Sequence, residues 1–241
     1  MNTTISILQK NLASIQQQIS DACQRSGRTP EDVQIIAVTK YADWSWVQDL
    51  SQLHNVFGEN RPQQLAERQV LLPQIHWHLI GQLQRNKVRL TLHHAAMIHS
   101  VDSLRLLEAI CAAAAAADQE STPPSILLQV NMSGEASKSG FAPAELPAIW
   151  PDVLRLCCGL RLCGLMTMAA ESDTPESARP TFQGLRLLRD SLQNRDDTRD
   201  AGITLTELSM GMSGDFVPAV EEGATLVRIG SRLFEGLQTP H

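Results

Sequence analysis

Lys40 is the strongest candidate in the sequence for a residue that binds or reacts with a ligand. It directly follows residues 35–39, an apolar and β-branched run typical of a strand covered on both faces, as in a parallel sheet. α/β proteins bind their ligands at the carboxyl ends of such strands. A single lysine at a strand end more often only reaches solvent, so a binding role for Lys40 requires a ligand site elsewhere in the chain.

Two glycine-containing segments near the end of the chain have the residue types of an anion site. They run from Ser209 to Asp215 and from Arg228 to Ser231. Glycine lets backbone amides approach an anion closely, and a helix beginning at Ser213 or Ser231 would add oriented N–H donors. Either segment alone is an ordinary turn, but the two together predict a phosphate site.

The elements that would position these residues alternate along the chain. Apolar residues from Ile5 to Ala22 recur at steps of three and four, which predicts an opening helix that Gly27 ends. Eight strand-like segments follow, each with a helical segment after it, and the last is followed by a final turn of helix. In chain order they are residues 35–39, 56–58, 75–80, 96–101, 125–130, 160–166, 205–209 and 225–229.

The length and the strand count predict one domain over residues 1–241, a single (β/α)8 TIM barrel of the α/β class with an extra N-terminal helix. An open doubly wound sheet is the alternative fold. In a closed barrel the first strand lies beside the eighth, so Lys40 would lie close to a phosphate held after strands seven and eight. An amine beside a phosphate site predicts a Schiff base with a phosphorylated carbonyl compound.

Two ligand classes satisfy this arrangement, namely pyridoxal 5′-phosphate (PLP) and a sugar phosphate in an aldolase-like barrel. Arg228 separates them only weakly, since it would clamp a sugar phosphate or donate a hydrogen bond to the pyridine nitrogen. In the second case the ring nitrogen stays unprotonated, and the ring is then a poorer electron sink.

The composition narrows the class of partner. A net charge of −6 argues against a nucleic acid or an anionic membrane as the main partner. No apolar run is long enough to span a membrane, and the first four residues lack the basic start of a signal peptide. We therefore expect a cytoplasmic protein whose five cysteines are reduced thiols.

His76 and His78 form an H-x-H pair whose side chains share one face of a strand, as in some metal-dependent hydrolase barrels. Such a site needs further ligands on later strands, yet after His99 only the terminal His241 remains. We therefore expect no metal site and expect His78 to be a hydrogen-bonded residue of the rim or core.

Eight motifs follow one another along almost the whole chain, from about residue 5 to residue 236. They are AVTK at 37–40, GEN at 58–60, WHLIGQLQRNK at 77–87, HSVDS at 99–103, QVNMSGEASKSGF at 129–141, GLMTM at 164–168, LSMGMSGDF at 208–216 and VRIG at 227–230. Together they resemble the pyridoxal phosphate homeostasis proteins, single-domain relatives of the alanine racemase N-terminal barrel. Two positions depart from that pattern, because Arg61 and Pro62 follow GEN where an aromatic residue is usual, and Glu235 precedes Gly236.

The resemblance implies a fold-type III PLP barrel in which Lys40 holds the cofactor as a Schiff base. Ser213, Gly230 and Ser231 would hold the phosphate, Arg228 would face the pyridine nitrogen, and Asn60 would lie near the ring. The residues implied to contact the cofactor are Lys40, Asn60, Met212, Ser213, Arg228, Gly230 and Ser231. It also implies a monomer that serves the homeostasis of vitamin B6 and amino acids, with PLP-dependent apo-enzymes as partners and no firmly established catalysis. Independently of the resemblance, the Gly- and Ser-rich loop around Lys138 and the Met210–Met212 pair are candidates for closing over the ligand.

Racemisation needs acid/base groups on both faces of the cofactor. Lys40 can supply one, and the only tyrosine, Tyr41, would point to the opposite side of the strand if residues 39–41 remain extended. A cofactor-binding regulatory or carrier protein is therefore the leading hypothesis. The alternative is a racemase-like PLP enzyme that uses a cysteine or histidine as its second base. A third hypothesis is a sugar-phosphate aldolase.

Overall fold

Eight parallel strands form a closed barrel in chain order, with β8 hydrogen-bonded back to β1. A computed structural model of the chain describes residues 3–116, 123–135, 139–170, 172 and 174–237. The strands are β1 (Gln34–Val38), β2 (Val56–Glu59), β3 (His76–Leu79), β4 (Met97–Val101), β5 (Ser125–Gln129), β6 (Arg161–Met166), β7 (Glu207–Met212) and β8 (Leu226–Ile229). The predicted (β/α)8 barrel is confirmed, and the open doubly wound sheet is wrong.

Helices pack around the outside of this barrel. They are α1 (Thr3–Ser26), α2 (Trp44–Leu50), α3 (Pro62–Leu71), α4 (Val88–His94), α5 (Leu104–Ala115), α6 (Leu146–Leu156), α7 (Arg179–Gln193), α8 (Asp196–Asp200) and α9 (Phe216–Glu221). The short polar helix α8 has no apolar periodicity and was not predicted. Its Thr198 is buried, and the Thr198 hydroxyl accepts a hydrogen bond from the Trp150 indole at 2.7 Å.

The predicted extra helix is α1, whose apolar stripe packs on α2 and α9. Its buried residues are Leu8, Leu12, Ile15, Ile19, Ala22 and Cys23. Gly27 ends the helix with a φ of +69°, the left-handed conformation that glycine adopts without a Cβ penalty. The position and the end of this helix are as the sequence predicts.

The core has two parts. The larger lies between the strands and the surrounding helices, and the smaller fills the barrel interior with strand residues. The interior cluster consists of Ile36, Val56, Leu127, Cys163, Met166 and Leu226. All five cysteines are free. Across the described residues, no helix combines the length and the apolar character needed to cross a membrane.

The chain differs from prediction where β7 and β8 end. β7 continues to Met212 rather than stopping at Ser209, because Met212 still pairs with Arg228 of β8 beyond a shift in register, and Gly211 has a φ of +89° within that shift. After β8, residues 231–236 form turns in which N–H groups bond to the carbonyl three residues earlier, as from Leu233 to Gly230 at 2.9 Å. The predicted final turn of helix is thus a run of turns rather than α-helix, which requires bonds to the fourth residue back.

Candidate functional site

A cavity of about 790 Å³ opens at the carboxyl ends of the strands, and we refer to it as the mouth cavity. Residues that follow β1, β2, β7 and β8 contribute to its wall. All seven residues predicted to contact a cofactor line it, namely Lys40, Asn60, Met212, Ser213, Arg228, Gly230 and Ser231. The structure therefore brings the predicted residues into one place, on the face of the barrel where ligands bind in this fold.

Lys40 enters the mouth cavity from a turn at the end of β1. The Ala42 N–H donates to the Thr39 carbonyl at 2.9 Å, which closes the turn. Because the chain turns here, residues 39–41 are not extended, and the condition under which Tyr41 would point to the opposite side of the strand is not met. The Lys40 amine lies 5.0 Å from the centroid of the Tyr41 ring, and the residue Tyr41 is 89% exposed. Lys40 and Tyr41 therefore lie on the same side of the mouth cavity.

Asn60 is fixed by close backbone packing at the end of β2. A Cβ added at Gly81 would lie 2.2 Å from the Asn60 carbonyl oxygen, so the two backbones meet where only glycine fits. The Ser100 hydroxyl donates to the Gly81 carbonyl at 2.6 Å and holds the other side of this contact. Asn60 therefore occupies a defined place beside Lys40.

The loops after β7 and β8 are joined by one hydrogen bond. The Gly230 N–H donates to the Ser213 hydroxyl at 3.1 Å. Neither serine begins a helix, because α9 starts at Phe216 and Ser231 lies in a run of turns, so the predicted helix N-termini are wrong. Within the part of the chain that the structure describes, the N–H groups of Gly214 and Ser231 have no hydrogen-bond partner. An anion can thus be bound here by turn amides.

The turn that carries Gly230 and Ser231 is tied to the N-terminal helix. The side-chain amide of Asn11 on α1 donates to the carbonyls of Leu233 at 3.0 Å and Glu235 at 2.9 Å. Because these residues are more than 200 positions apart, the pairing could not be read from sequence spacing. The extra helix α1 therefore helps to fix one wall of the mouth cavity.

Arg228 is almost fully buried, yet it reaches the wall of the mouth cavity. Its guanidinium donates to the Ser209 hydroxyl at 2.7 Å and to the Thr167 carbonyl at 2.9 Å. Burial lowers the pKa of Arg228 to about 10, and the nearby Asp215 carboxylate partly offsets this effect. The side chain therefore stays protonated near neutral pH and offers donors only.

A chain of hydrogen bonds runs from Arg228 through the barrel interior. Ser209 Oγ lies 2.8 Å from His99 Nδ1, and His99 Nε2 lies 3.0 Å from His78 Nδ1. Burial lowers the pKa of His78 to about 3, with a smaller effect from His76, and burial also lowers the pKa of His99 well below its ordinary value. Both imidazoles are therefore neutral near pH 7. The prediction that His78 is hydrogen-bonded is confirmed. The participation of His99 and Ser209 in this chain of hydrogen bonds was not predicted.

A second polar cluster, also missed, lies behind Lys40. The Arg68 guanidinium on α3 donates to the buried Glu59 carboxylate and to the Thr39 carbonyl. Burial raises the pKa of Glu59, while the bonds from Thr39 and Arg68 act in the opposite direction. A glutamate inside the apolar run of β2 is the signal that could have indicated this cluster, since buried carboxylates are paired.

Of the two elements that could close over the ligand, the structure fully describes only the methionine pair. Met212 is 38% exposed and lines the mouth cavity, whereas Met210 is fully buried in the core. Lys138 lies outside the described residues.

Among the residues that the structure describes, no three His, Cys, Asp or Glu side chains are grouped so that they could hold a metal ion.

Residues 10–238 match the alanine racemase N-terminal domain family. The chain is 35% identical to the pyridoxal phosphate homeostasis protein of Aquifex aeolicus over 93% of this chain and 96% of that one. It is 37% identical to the protein of the same name from Pseudomonas aeruginosa, over 95% and 96% of the two chains. The solved structure of PipY from Synechococcus elongatus with PLP bound superposes with a TM-score of 0.73 at 34% identity, over 90% of this chain and 99% of PipY.

These matches cover nearly the full length of each relative at more than 30% identity. They extend over the strand ends that carry all seven predicted residues of the mouth cavity. The chain therefore belongs to the pyridoxal phosphate homeostasis protein family and carries the alanine racemase N-terminal domain.

Proposed function

We propose that the mouth cavity binds PLP, with its aldehyde joined to Lys40 as a Schiff base, and that the protein serves PLP homeostasis. The observation that carries this proposal is the meeting of Lys40, Arg228 and the Ser213–Gly230 pair in one cavity. An amine, an anion site and a donor for a ring nitrogen are the groups that PLP requires. The names of the Aquifex and Pseudomonas relatives and the PLP bound to PipY support it.

The residues present fit the phosphate end of the cofactor. The Ser213 hydroxyl, which accepts from the Gly230 N–H, and the backbone amides of Gly214 and Ser231, which are free among the described residues, would hold the phosphate at the loops after β7 and β8. Gly230 packs beside the end of β1, since a Cβ added there would lie 3.4 Å from the Cβ of Val38, two residues before Lys40. The phosphate site is therefore next to the strand that leads to the amine.

The residues also fit the ring end. Arg228 would donate a hydrogen bond to the pyridine nitrogen, because a buried guanidinium has donors and no acceptor. PLP supplies an electron sink when it is bound, and its strength depends on protonation of that nitrogen. With Arg228 as its donor the nitrogen would stay unprotonated, and the bound cofactor would then be less suited to carbanion chemistry.

The lining of the mouth cavity favours a carrier or regulatory protein over an efficient racemase. Among the described residues that line it, none is a histidine, cysteine, aspartate or glutamate. His78 and His99 are engaged with each other below the cavity. A second acid/base group opposite Lys40, which racemisation requires, is not supplied by Tyr41, since that ring lies on the Lys40 side. Weak side reactions are compatible with this arrangement.

Incubation with a panel of amino acids in deuterated water tests the carrier proposal. We expect any exchange at the α carbon above that of a Lys40→Ala control to stay far below the rates of dedicated PLP enzymes, using protein free of contaminating racemase. Sustained exchange at rates comparable with dedicated PLP enzymes would contradict the proposal and support the racemase-like alternative. A cytoplasmic location, a monomeric state and PLP-dependent apo-enzymes as partners remain predictions that belong with this function.

A further inference from the structure

Arg68 is a buried cation that joins the ends of β1 and β2. Its side chain projects from α3, and the residue is only 8% exposed. One guanidinium nitrogen donates to Glu59 Oε1 on β2 and, at 3.0 Å, to the carbonyl of Thr39 just after β1. Thr39 precedes Lys40 and Glu59 precedes Asn60, so the bridge lies directly behind two residues of the mouth cavity.

Neighbouring side chains complete this bridge. The Thr39 hydroxyl also donates to Glu59 Oε1, so Thr39 is held through both its backbone and its side chain. The Gln64 amide, oriented with its nitrogen toward Glu59, donates to Glu59 Oε2 at 3.3 Å and accepts from Arg68 at 3.2 Å. The Trp44 ring lies over the guanidinium, 5.6 Å from centroid to carbon. Each charged group is thus held in a defined orientation.

Fold stability alone is a weak reason for this arrangement. Removing two charges from water costs several kcal/mol for each ion, and well-packed apolar residues of similar volume are often equally stable. The bond to the Thr39 carbonyl does something that apolar packing does not, because it fixes the orientation of the peptide that leads into Lys40. That peptide sets the direction in which the lysine side chain leaves the backbone.

We propose that Arg68 is a positioning residue for Lys40, which holds the Thr39–Lys40 peptide against Glu59 so that the amine points at the site of the cofactor aldehyde. Given the cofactor site proposed above, Arg68 acts on condensation with the aldehyde and not on phosphate binding. The phosphate residues lie on the loops after β7 and β8, which make no direct hydrogen bond to Arg68 among the described residues. The two halves of cofactor binding are therefore separable by mutation.

Two ligands distinguish condensation with Lys40 from binding of the phosphate and ring. PLP binds through its phosphate, its ring and its aldehyde, whereas pyridoxine 5′-phosphate has the same ring and phosphate but no aldehyde. We expect Arg68→Met to weaken PLP binding by about tenfold or more, as the loss of a charged hydrogen bond suggests. Its affinity for pyridoxine 5′-phosphate should stay within about twofold of the wild type. The Schiff-base absorption at saturating PLP should also fall.

Two further variants complete the experiment. Arg68→Lys keeps the charge but lacks the second nitrogen that donates to Gln64, so it should recover part of the PLP affinity. Arg61→Met removes an exposed arginine just before α3 and should change neither affinity. If Arg68→Met does not fold, Arg68→Lys supplies the same comparison, with a smaller selective loss of PLP binding.

The outcomes are distinct. An equal loss of both ligands in the Arg68 variants would show a general structural role and overturn the proposal, as would an unchanged PLP affinity. A selective loss of PLP binding supports it. If the wild-type protein binds neither ligand, the proposed cofactor site is wrong. If the wild type binds both ligands and the Arg68 variants bind them equally well, only the positioning role of Arg68 is wrong.

Discussion

The guanidinium of Arg228 donates to the hydroxyl of Ser209 at 2.7 Å, and Ser209 in turn lies 2.8 Å from His99. Both oxygens that accept from Arg228, the Ser209 hydroxyl and the Thr167 carbonyl, are neutral. The side chain is therefore positioned by uncharged partners and keeps its full positive charge toward the mouth cavity. This relationship connects the barrel interior to the ring end of the proposed cofactor site.

Ser209→Ala tests the importance of that contact. The substitution leaves one Arg228 donor and one His99 nitrogen without a partner, which should cost about 1–3 kcal/mol in the free energy of unfolding. The freed guanidinium should also bind the pyridine ring less well, so PLP affinity should fall while Ser14→Ala, on the exposed face of α1, leaves it unchanged. Equal affinities of Ser209→Ala and the wild type would show that Ser209 does not position Arg228.

The two buried histidines predict a dependence of stability on pH. His78 and His99 have folded-state pKa values below the ordinary 6.5, mainly because of burial, and that of His78 is about 3. As the pH falls below about 6.5, the unfolded chain takes up protons that the folded chain does not. Each histidine should therefore remove about 1.4 kcal/mol of stability per pH unit, and the stabilising effect is fully present only above the unfolded-state pKa.

Urea unfolding near pH 7 and near pH 5 measures this effect. His78→Gln should reduce the loss of stability between the two pH values, because one of the two buried groups no longer titrates on unfolding. His93→Gln, at an exposed position on α4, is the matched control and should behave like the wild type. A wild-type curve as flat as that of His78→Gln would contradict the assignment of a neutral buried His78.

Gly211 should tolerate no side chain. Its φ of +89° is unfavourable for other residues, and an added Cβ would lie 2.6 Å from the Cβ of Ala219. Backbone strain and overpacking together predict that Gly211→Ala lowers the free energy of unfolding by about 2–4 kcal/mol. Gly214→Ala is the control, because an added Cβ there meets nothing within 4 Å. Similar unfolding midpoints for the two variants would contradict this account of the end of β7.

Ser213 should contribute to phosphate binding in particular. Ser213→Ala removes the hydroxyl that accepts from the Gly230 N–H and joins the loops after β7 and β8. We expect PLP affinity to fall about tenfold, with little change for pyridoxal, which lacks the phosphate. Titration of both ligands followed by absorbance checks this selectivity. A parallel loss of both affinities would place Ser213 away from the phosphate.

The sequence was sufficient to locate the residues that end strands. Lys40, Asn60 and Arg228 lie where an apolar run ends or carries one charged residue, and closure of the barrel brings such positions together. The barrel itself could be predicted because each buried parallel strand forms a separate apolar segment. These features depend on local pattern and on strand order.

Contacts between distant side chains could not be predicted in this way. Arg68 lies within a helix, where an arginine usually faces solvent, and only the packing of α3 against β2 buries it beside Glu59. His99 and Ser209 are 110 positions apart. The turn at Lys40 was also not predicted, because the segment Thr39–Lys40–Tyr41 contains no glycine or proline, the residues that most strongly indicate a turn.

Borohydride reduction of the PLP-loaded protein, followed by peptide mapping, shows whether Lys40 holds the cofactor as a Schiff base. We expect a yellow protein that loses its Schiff-base absorption on reduction and carries the pyridoxyl group on Lys40. The Lys40→Ala variant should carry no such adduct. A wild-type protein that stays colourless with PLP, or an adduct that maps to a different lysine, would contradict the proposed site.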